Sequence, residues 1–543
     1  MSKYRGHKKR RILFNWDGSD VLSFLGDNPT PERYLDWVFH CLDGSQVDTL
    51  LYNFGSGNVA EYASDVLEWP GEADGFRFSD DNSRWRYENA KKLADQGANP
   101  PEIISRACRE RGLEVFFSMR MNDIHDGWMT SERPSFKRKH PEWLLPQLRD
   151  GHTFRQDGVC QATSLNYAVK EVRDLKLEVI REVFSKWDYD GIELDWSRHH
   201  NHFLPGTEFE NRHHLTEFTR EVRQIAEKGA ARLGHPVHVF ARVPETIQGC
   251  QKGGYDVIQW FKEEIVDGLI LGDMVVCLPF LHQFREFMGK KKIPLYPSVY
   301  GYGMGYGLWD DAVIRGIAAN LWAAGADGLA TYNLYPRGEF RRNVLKQIGH
   351  PDSLSGQNKS YFCPRNQLQV FTRFSRHNCP ASPLPVFLNV SFIANYSDYI
   401  PHTVWADIEV ADDVKAAAEQ GKFDKVELLV GIRDLLEDDR VLISLNGHSL
   451  TEDWGDVVFP HIETVTWDIN SRERERVVPE VGDPNDIHLE FPAVRFQVPP
   501  DLIRKGTNTV QVLLLPTEKR PRDKKNNYPP VFISRIEIFT VFK

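Results

Sequence analysis

Two carboxylates set two residues apart, Glu193 and Asp195 in the run Asp190-Gly191-Ile192-Glu193-Leu194-Asp195-Trp196, are the most chemically informative pair in the 543-residue chain. In an extended segment side chains alternate, so these two acids share one face while Ile192, Leu194 and Trp196 share the other. The apolar face suits packing against helices and turns the acids toward a polar interior. Glu193 can be an ion pair with Arg120 or Arg242 below a site, or an alternative catalytic carboxyl. Asp195, nearer the strand end, reads as a nucleophile. Hydrolysis of a glycosidic bond needs a second carboxyl, to protonate the leaving oxygen. Glu245, just past Val243-Pro244 where an apolar run stops, is the first choice for that role. Asp273 is the next, followed by Asp17 and Asp123. Glu245 would also suit the first turn of a helix, where an acid is favourable.

Other polar residues fall at the ends of apolar runs. Asn15, Asp17, Arg120, Asn122, His125, Arg198, His199, Arg242, Tyr300, Tyr332 and Asn333 are the expected substrate-binding set. An arginine stays protonated, so Arg120, with Asn122, is expected to orient substrate without moving protons. Trp16, Trp128, Trp196, Tyr302, Tyr306, Trp309 and Tyr335 also lie near these ends, where rings could pack on sugar faces or serve the core. His200 and His202 have His-x-His spacing, but the chain contains no HExxH, and no metal is expected. The glycines of GYGMGYG (301–307) lack the Lys-Ser/Thr of a phosphate loop, and no cofactor is expected.

Eight apolar runs carry these residues: 12–16, 47–54, 113–121, 189–196, 237–243, 266–276, 293–301 and 326–335. Amphipathic stretches separate them; in Val169–Trp187, for example, Val172, Leu175, Val179 and Val183 recur near a helical period. Strand–helix alternation implies parallel pairing through right-handed crossovers. Eight repeats in about 250–350 residues predict a closed (β/α)8 TIM barrel, whose site lies at the strand C-termini. The turn Trp16-Asp17-Gly18-Ser19 lacks the glycine pattern of a dinucleotide fold.

Beyond residue 350 the pattern becomes period two, in ELLVGI, VLISLNG, VQVLLLP and ISRIEIFTVF, with Asn446-Gly447 as a hairpin signal. The expected division is a catalytic barrel over 1–350, a polar linker over 351–364 and an accessory C-terminal β-sandwich over 365–543, interrupted by a helix near 413–420.

The phrases FFSMRMNDIHDG and LNYAVKEVRDLKLEVIREVFSKWDYDGIELDWSRH resemble the bacterial family-10-like glycosyl hydrolases. The shared phrases place Asn166, Tyr167, Glu171, Val172 and Arg173 one helix before Asp190, Gly191, Ile192 and Asp195. Many relatives have a second acid where this chain has Trp196. Asp195 is also similar in position to the nucleophile of α-L-fucosidase-like and α-galactosidase-like barrels. The resemblance implies a retaining glycosidase acting on a polysaccharide fragment. The competing readings are a carbohydrate-binding barrel without turnover and a metal-dependent barrel isomerase or hydrolase.

A net charge of −10 argues against a nucleic-acid partner. No apolar run reaches the roughly 20 residues that span a bilayer, and the basic start Lys8-Lys9-Arg10-Arg11 has no secretory apolar region behind it. Seven scattered cysteines without CxxC spacing suit reduced thiols. A cytoplasmic protein with a carbohydrate substrate is expected, and a homo-oligomer is compatible with the sequence.

Overall fold

The structure, a computed structural model, describes residues 8–78, 80–127, 129–145, 163–199, 201–272, 281–300, 302–303, 307–308, 311–334, 342–363, 384, 386–388, 403–436, 439–450, 456–458, 464–466, 475–477, 493–515, 517–518 and 530–543. Its first part is a closed barrel of eight parallel strands: β1 Ile12–Asp17, β2 Val47–Asn53, β3 Glu114–Arg120, β4 Gly191–Asp195, β5 His238–Val243, β6 Gly268–Leu271, β7 Leu295–Tyr300 and β8 Leu329–Tyr332. Each strand pairs with the next in sequence, and β8 closes on β1. All eight apolar runs therefore became barrel strands.

Alternation sorts the side chains of each strand. Leu13, Leu51, Phe116, Phe240, Ile270, Tyr296 and Ala330 point inward and form a buried cluster of their own, an apolar plug inside the barrel. Gly191 occupies the corresponding step of β4, because a Cβ there would lie 2.8 Å from the Phe116 ring and 2.7 Å from the His238 carbonyl. Below the plug, the buried Arg10 forms a bidentate ion pair with Glu114, at 2.5 and 2.7 Å, and Thr49 donates to the same carboxylate at 2.6 Å. This pair lies at the strand N-termini, below the plug. Outward-facing residues such as Ile12, Phe14, Leu50, Ile192 and Leu194 join the main core beneath the helices.

The second part consists of antiparallel sheets. In the larger, Val531–Phe542 pairs with Lys359–Phe362, Val386–Leu388 and Phe423–Arg433, and the sheet continues through Ala493–Val498 to Asp456–Val458. The other runs Thr403–Val410, Gly506–Leu515, Arg440–Leu445, His448–Ser449. Val404, Ala406, Ile408 and Val410 are buried with Val510, Val512 and Leu514, in the alternation of a half-buried sheet. Asn446 and Gly447 both have positive φ, 52° and 86°, as the tight hairpin turn requires. The helix Val414–Glu419 forms where expected, capped by the Asp413 carboxylate.

The stretch 351–364, expected as linker, carries the helical turn Pro351–Leu354 and the strand Lys359–Phe362. That strand lies against the barrel helix Asp311–Ala323. Gly316 makes the approach close enough that any Cβ would overlap the Ser360 carbonyl. Arg315 Nε donates to the Asn358 carbonyl at 2.6 Å, and Asn320 Nδ2 to that of Glu409 at 2.8 Å. No helix among the described residues is long and apolar enough to cross a membrane.

Candidate active site

The inward positions above the plug are polar. Asn15 of β1, Ser118 of β3 and Glu193 of β4 meet across the barrel: Asn15 Nδ2 donates to Glu193 Oε2 at 2.9 Å and to Ser118 Oγ at 3.3 Å. Glu193 is 1% exposed, and its Oε1 has no hydrogen-bond partner among the described residues. Burial, and then the charge of Asp195, push its carboxyl up to about 7. Glu193 makes no ion pair with Arg120, whose partners are Asp17 and Asp123. The reason is positional: Arg120 lies one inward step above Ser118, the register partner of Glu193.

Asp195 ends β4 and is 1% exposed. Its Oδ1 accepts the backbone N–H groups of Ser197 and Arg198, both at 3.0 Å. Its register partner on β5, Arg242, places Nη1 3.2 and 3.3 Å from the two carboxylate oxygens. The Tyr332 hydroxyl lies 3.5 Å from Oδ2, and the Tyr332 ring covers the Arg242 guanidinium at 3.4 Å. Arg242 Nε donates to the Gly272 carbonyl at 3.0 Å, which fixes the fork.

Across the rim, Arg120 Nη2 contacts Asp17 and Nη1 donates to Asp123 at 3.0 Å. Burial opposes ionisation of Asp17, but Arg120, Arg198 and Arg86 outweigh it and hold the carboxyl below its usual range. Asp123 is likewise held well below that range, against burial, by His125 and Arg120. It binds the backbone N–H of His125 at 2.9 Å and Nδ1 of the same residue at 2.5 Å. His125 Nε2 lies 3.0 Å from Arg198 Nη2. His199 stacks edge-on against His125, at 5.4 Å between centroids, and burial drives its imidazole well below the usual value, so it is neutral.

The structure thus brings Asn15, Asp17, Arg120, His125, Glu193, Asp195, Arg198, His199, Arg242 and Tyr332 together at one rim. Tyr300 stacks on Tyr332 at 5.7 Å, and its hydroxyl receives Asn333 Nδ2 at 3.0 Å, with Asn333 at φ 47°. Asn122 is placed differently. It is fully buried, donating to the carbonyls of Leu165 and Asn201 and accepting from Leu165 N, so its amide ties loops together. Glu245 is 1% exposed, directly before Thr246, and Thr246 caps the helix Ile247–Gly253 through Gly249 N. The cap is therefore Thr246, and Glu245 lies near enough to Cys250 for its charge to help raise that buried thiol. Asp273, Trp128, His200, Tyr306, Trp309 and Tyr335 lie outside the described residues, as do the side chains of the glycine-rich run.

Trp16 and Trp196 face away from the barrel interior. Trp196 packs against Tyr167, His202 and Phe218 at 5.2, 5.0 and 5.8 Å, and His202 engages the Tyr255 hydroxyl at 3.0 Å. These residues belong to the core.

Sequence reasoning missed the support beneath Asp123. Two fully buried lysine amines converge there. Lys137 Nζ reaches Asp126 at 3.0 Å and the Asp123 carbonyl at 3.3 Å; Lys176 Nζ holds Gly57 O and Asn58, whose Nδ2 donates to the Asp123 carbonyl at 2.8 Å. Lysines in charge-rich helices read as solvated, and only the fold buries these two.

A closed parallel barrel that gathers buried carboxylates and arginines at its strand C-termini defines a class built to hold a polar ligand there. Residues 57–228 match the family model Glycosyl hydrolase-like 10. Among solved structures, the chain is similar to the glycoside hydrolase domain of PgaB (BpsB) from Bordetella bronchiseptica, at 11% identity and a TM-score of 0.42, over 63% of this chain and 99% of that one. It is also similar to α-L-fucosidase isoenzyme 2 from Paenibacillus thiaminolyticus, at 16% identity and a TM-score of 0.40, over 63% of this chain and 48% of that one. A third is the GH36 α-galactosidase AgaA from Geobacillus stearothermophilus, at 10% identity and a TM-score of 0.35, over 94% of this chain and 57% of that one. No curated protein matches the chain.

Proposed function

We propose that the barrel hydrolyses O-glycosidic bonds of an oligo- or polysaccharide, with Asp195 as the attacking carboxylate and Glu245 as the acid–base partner. The environment of Asp195 carries this reading. Two backbone N–H groups, the Arg242 fork and the Tyr332 hydroxyl all face it, an arrangement that suits a carboxylate at a strand end. Glu245 follows two residues after the end of β5, the strand that pairs with β4. A retaining mechanism would need these two carboxyls ~5–5.5 Å apart, against the ~6.5–9.5 Å of an inverting one.

A second assignment of the acid has its own support. Glu193 shares a strand face with Asp195, and its carboxyl is pushed up to about 7 by burial and by that neighbour, which suits a proton donor at neutral pH.

The test is a screen of the full chain against polysaccharides and aryl glycosides of both anomers, with Asp195→Asn as the blank and product anomers read by NMR. Turnover that Asp195→Asn abolishes, with retention of configuration, is the expected result. Tight oligosaccharide binding without turnover would favour the carbohydrate-binding alternative.

A further inference from the structure

Arg198 differs from the other two arginines at the rim. Arg120 is ion-paired with Asp17 and Asp123, and Arg242 with Asp195. Arg198 has no carboxylate within ion-pair distance among the described residues. Its Nη2 lies 3.0 Å from His125 Nε2, its Nη1 is 3.5 Å from the Tyr332 hydroxyl, and its buried Nε–H has no acceptor among the described residues. The side chain is half-buried, so part of its surface remains accessible.

Its position is nonetheless fixed. Asp123, held by Arg120, takes the Nδ1 side of His125, which leaves the Nε2 side facing Arg198. The backbone N–H of Arg198 is bound by Asp195 Oδ1 at 3.0 Å, so the guanidinium stem starts beside the attacking carboxylate. A partly desolvated guanidinium with no carboxylate in direct contact is costly. Its planar fork matches the oxygens of a carboxylate or sulfate, and charge-assisted bonds of that kind are the strong ones.

Building on the hydrolase reading above, we propose that Arg198 is a specificity-determining residue that binds an anionic substituent of the sugar, so that the substrate is an acidic glycan. His125 and Asp123 are then positioning residues acting through Arg198. The shared chemistry is a set of anionic oxygens on the ring, from a uronate or from a sulfate ester.

The experiment is calorimetric binding to the full chain of matched oligosaccharide pairs: galacturonate against galactose, glucuronate-containing against glucose, and sulfated against unsulfated. Each pair is measured at low and high salt. At least one acidic member is expected to bind about tenfold or more tighter than its neutral counterpart, a difference of about 1.4 kcal/mol. The uronate and sulfate arms identify the source of the charge. The preference should shrink with salt, vanish in Arg198→Gln, and be intermediate in Arg198→Lys, which keeps the charge and loses the fork. His125→Gln should lower it as well. If no acidic member binds tighter, or if folded Arg198→Gln and Arg198→Lys both keep the wild-type preference, the proposal is overturned. Because binding is read directly, absence of turnover counts against the hydrolase reading alone.

Discussion

Arg242 and Asp195 face each other in register on adjacent strands, with Nη1 of the arginine 3.2 and 3.3 Å from the two carboxylate oxygens and the Tyr332 ring 3.4 Å from the guanidinium. Both residues are buried, at 0 and 1% exposure, so neither charge has solvent to fall back on. Arg242→Met should destabilise the protein by about 3–5 kcal/mol, because it strands a buried carboxylate. The double variant Arg242→Met/Asp195→Asn should recover much of that loss. Urea unfolding of the two variants checks both statements.

Glu193 makes stability fall with rising pH. Its carboxyl titrates near 7 in the fold, against 4.5 for the ordinary group. Between those values the folded state keeps a proton that the unfolded chain releases, so stability decreases across that window and levels off above it. The span corresponds to about 3 kcal/mol. Glu193→Gln should flatten the profile between pH 5 and 8, measured by denaturation at several pH values. An unchanged slope would mean that the group titrates normally.

His199 acts from the acid side. Burial holds its imidazole well below 6.5, so the folded state keeps it neutral while the unfolded chain takes up a proton as the pH falls. Its contribution is present above about pH 6.5 and is lost as the pH drops below that value. His199→Gln should melt at a temperature less sensitive to acid than wild type between pH 6.5 and 5. Parallel melting curves check this.

Glu245→Ala separates the two candidates for the acid. If Glu245 protonates the leaving oxygen, the variant should slow substrates with poor leaving groups by about 10²-fold or more and spare activated aryl glycosides, with rescue by azide. Wild-type kinetics in this variant, together with loss of activity in Glu193→Gln, would move the role to Glu193.

Gly316 is one contact between barrel and sheets, facing the Ser360 carbonyl with no room for a Cβ. Gly316→Val should force Lys359–Phe362 away from the helix Asp311–Ala323 and cost about 1–3 kcal/mol. Calorimetry should show a lowered or split transition, and uniform melting at the wild-type temperature would argue against a coupled junction.

What the sequence determined by itself was the architecture. The switch from strand–helix alternation to period two separates the barrel from the sheets, because backbone geometry alone sets which side chains can share a face. The same parity pointed Glu193 and Asp195 inward, since Ile192 and Leu194 needed a helix to cover them. Pairing was decided only by the tertiary structure. Which acid Arg120 binds, why Arg242 takes Asp195, and why Arg198 takes no carboxylate among the described residues depend on barrel stagger and loop position, and no local pattern encodes these. Nor did residue type reveal that Asn122 is spent on loop carbonyls or that Lys137 and Lys176 are buried: polar groups are placed by the partners that long-range folding brings to them, whereas apolar periodicity is written into the chain.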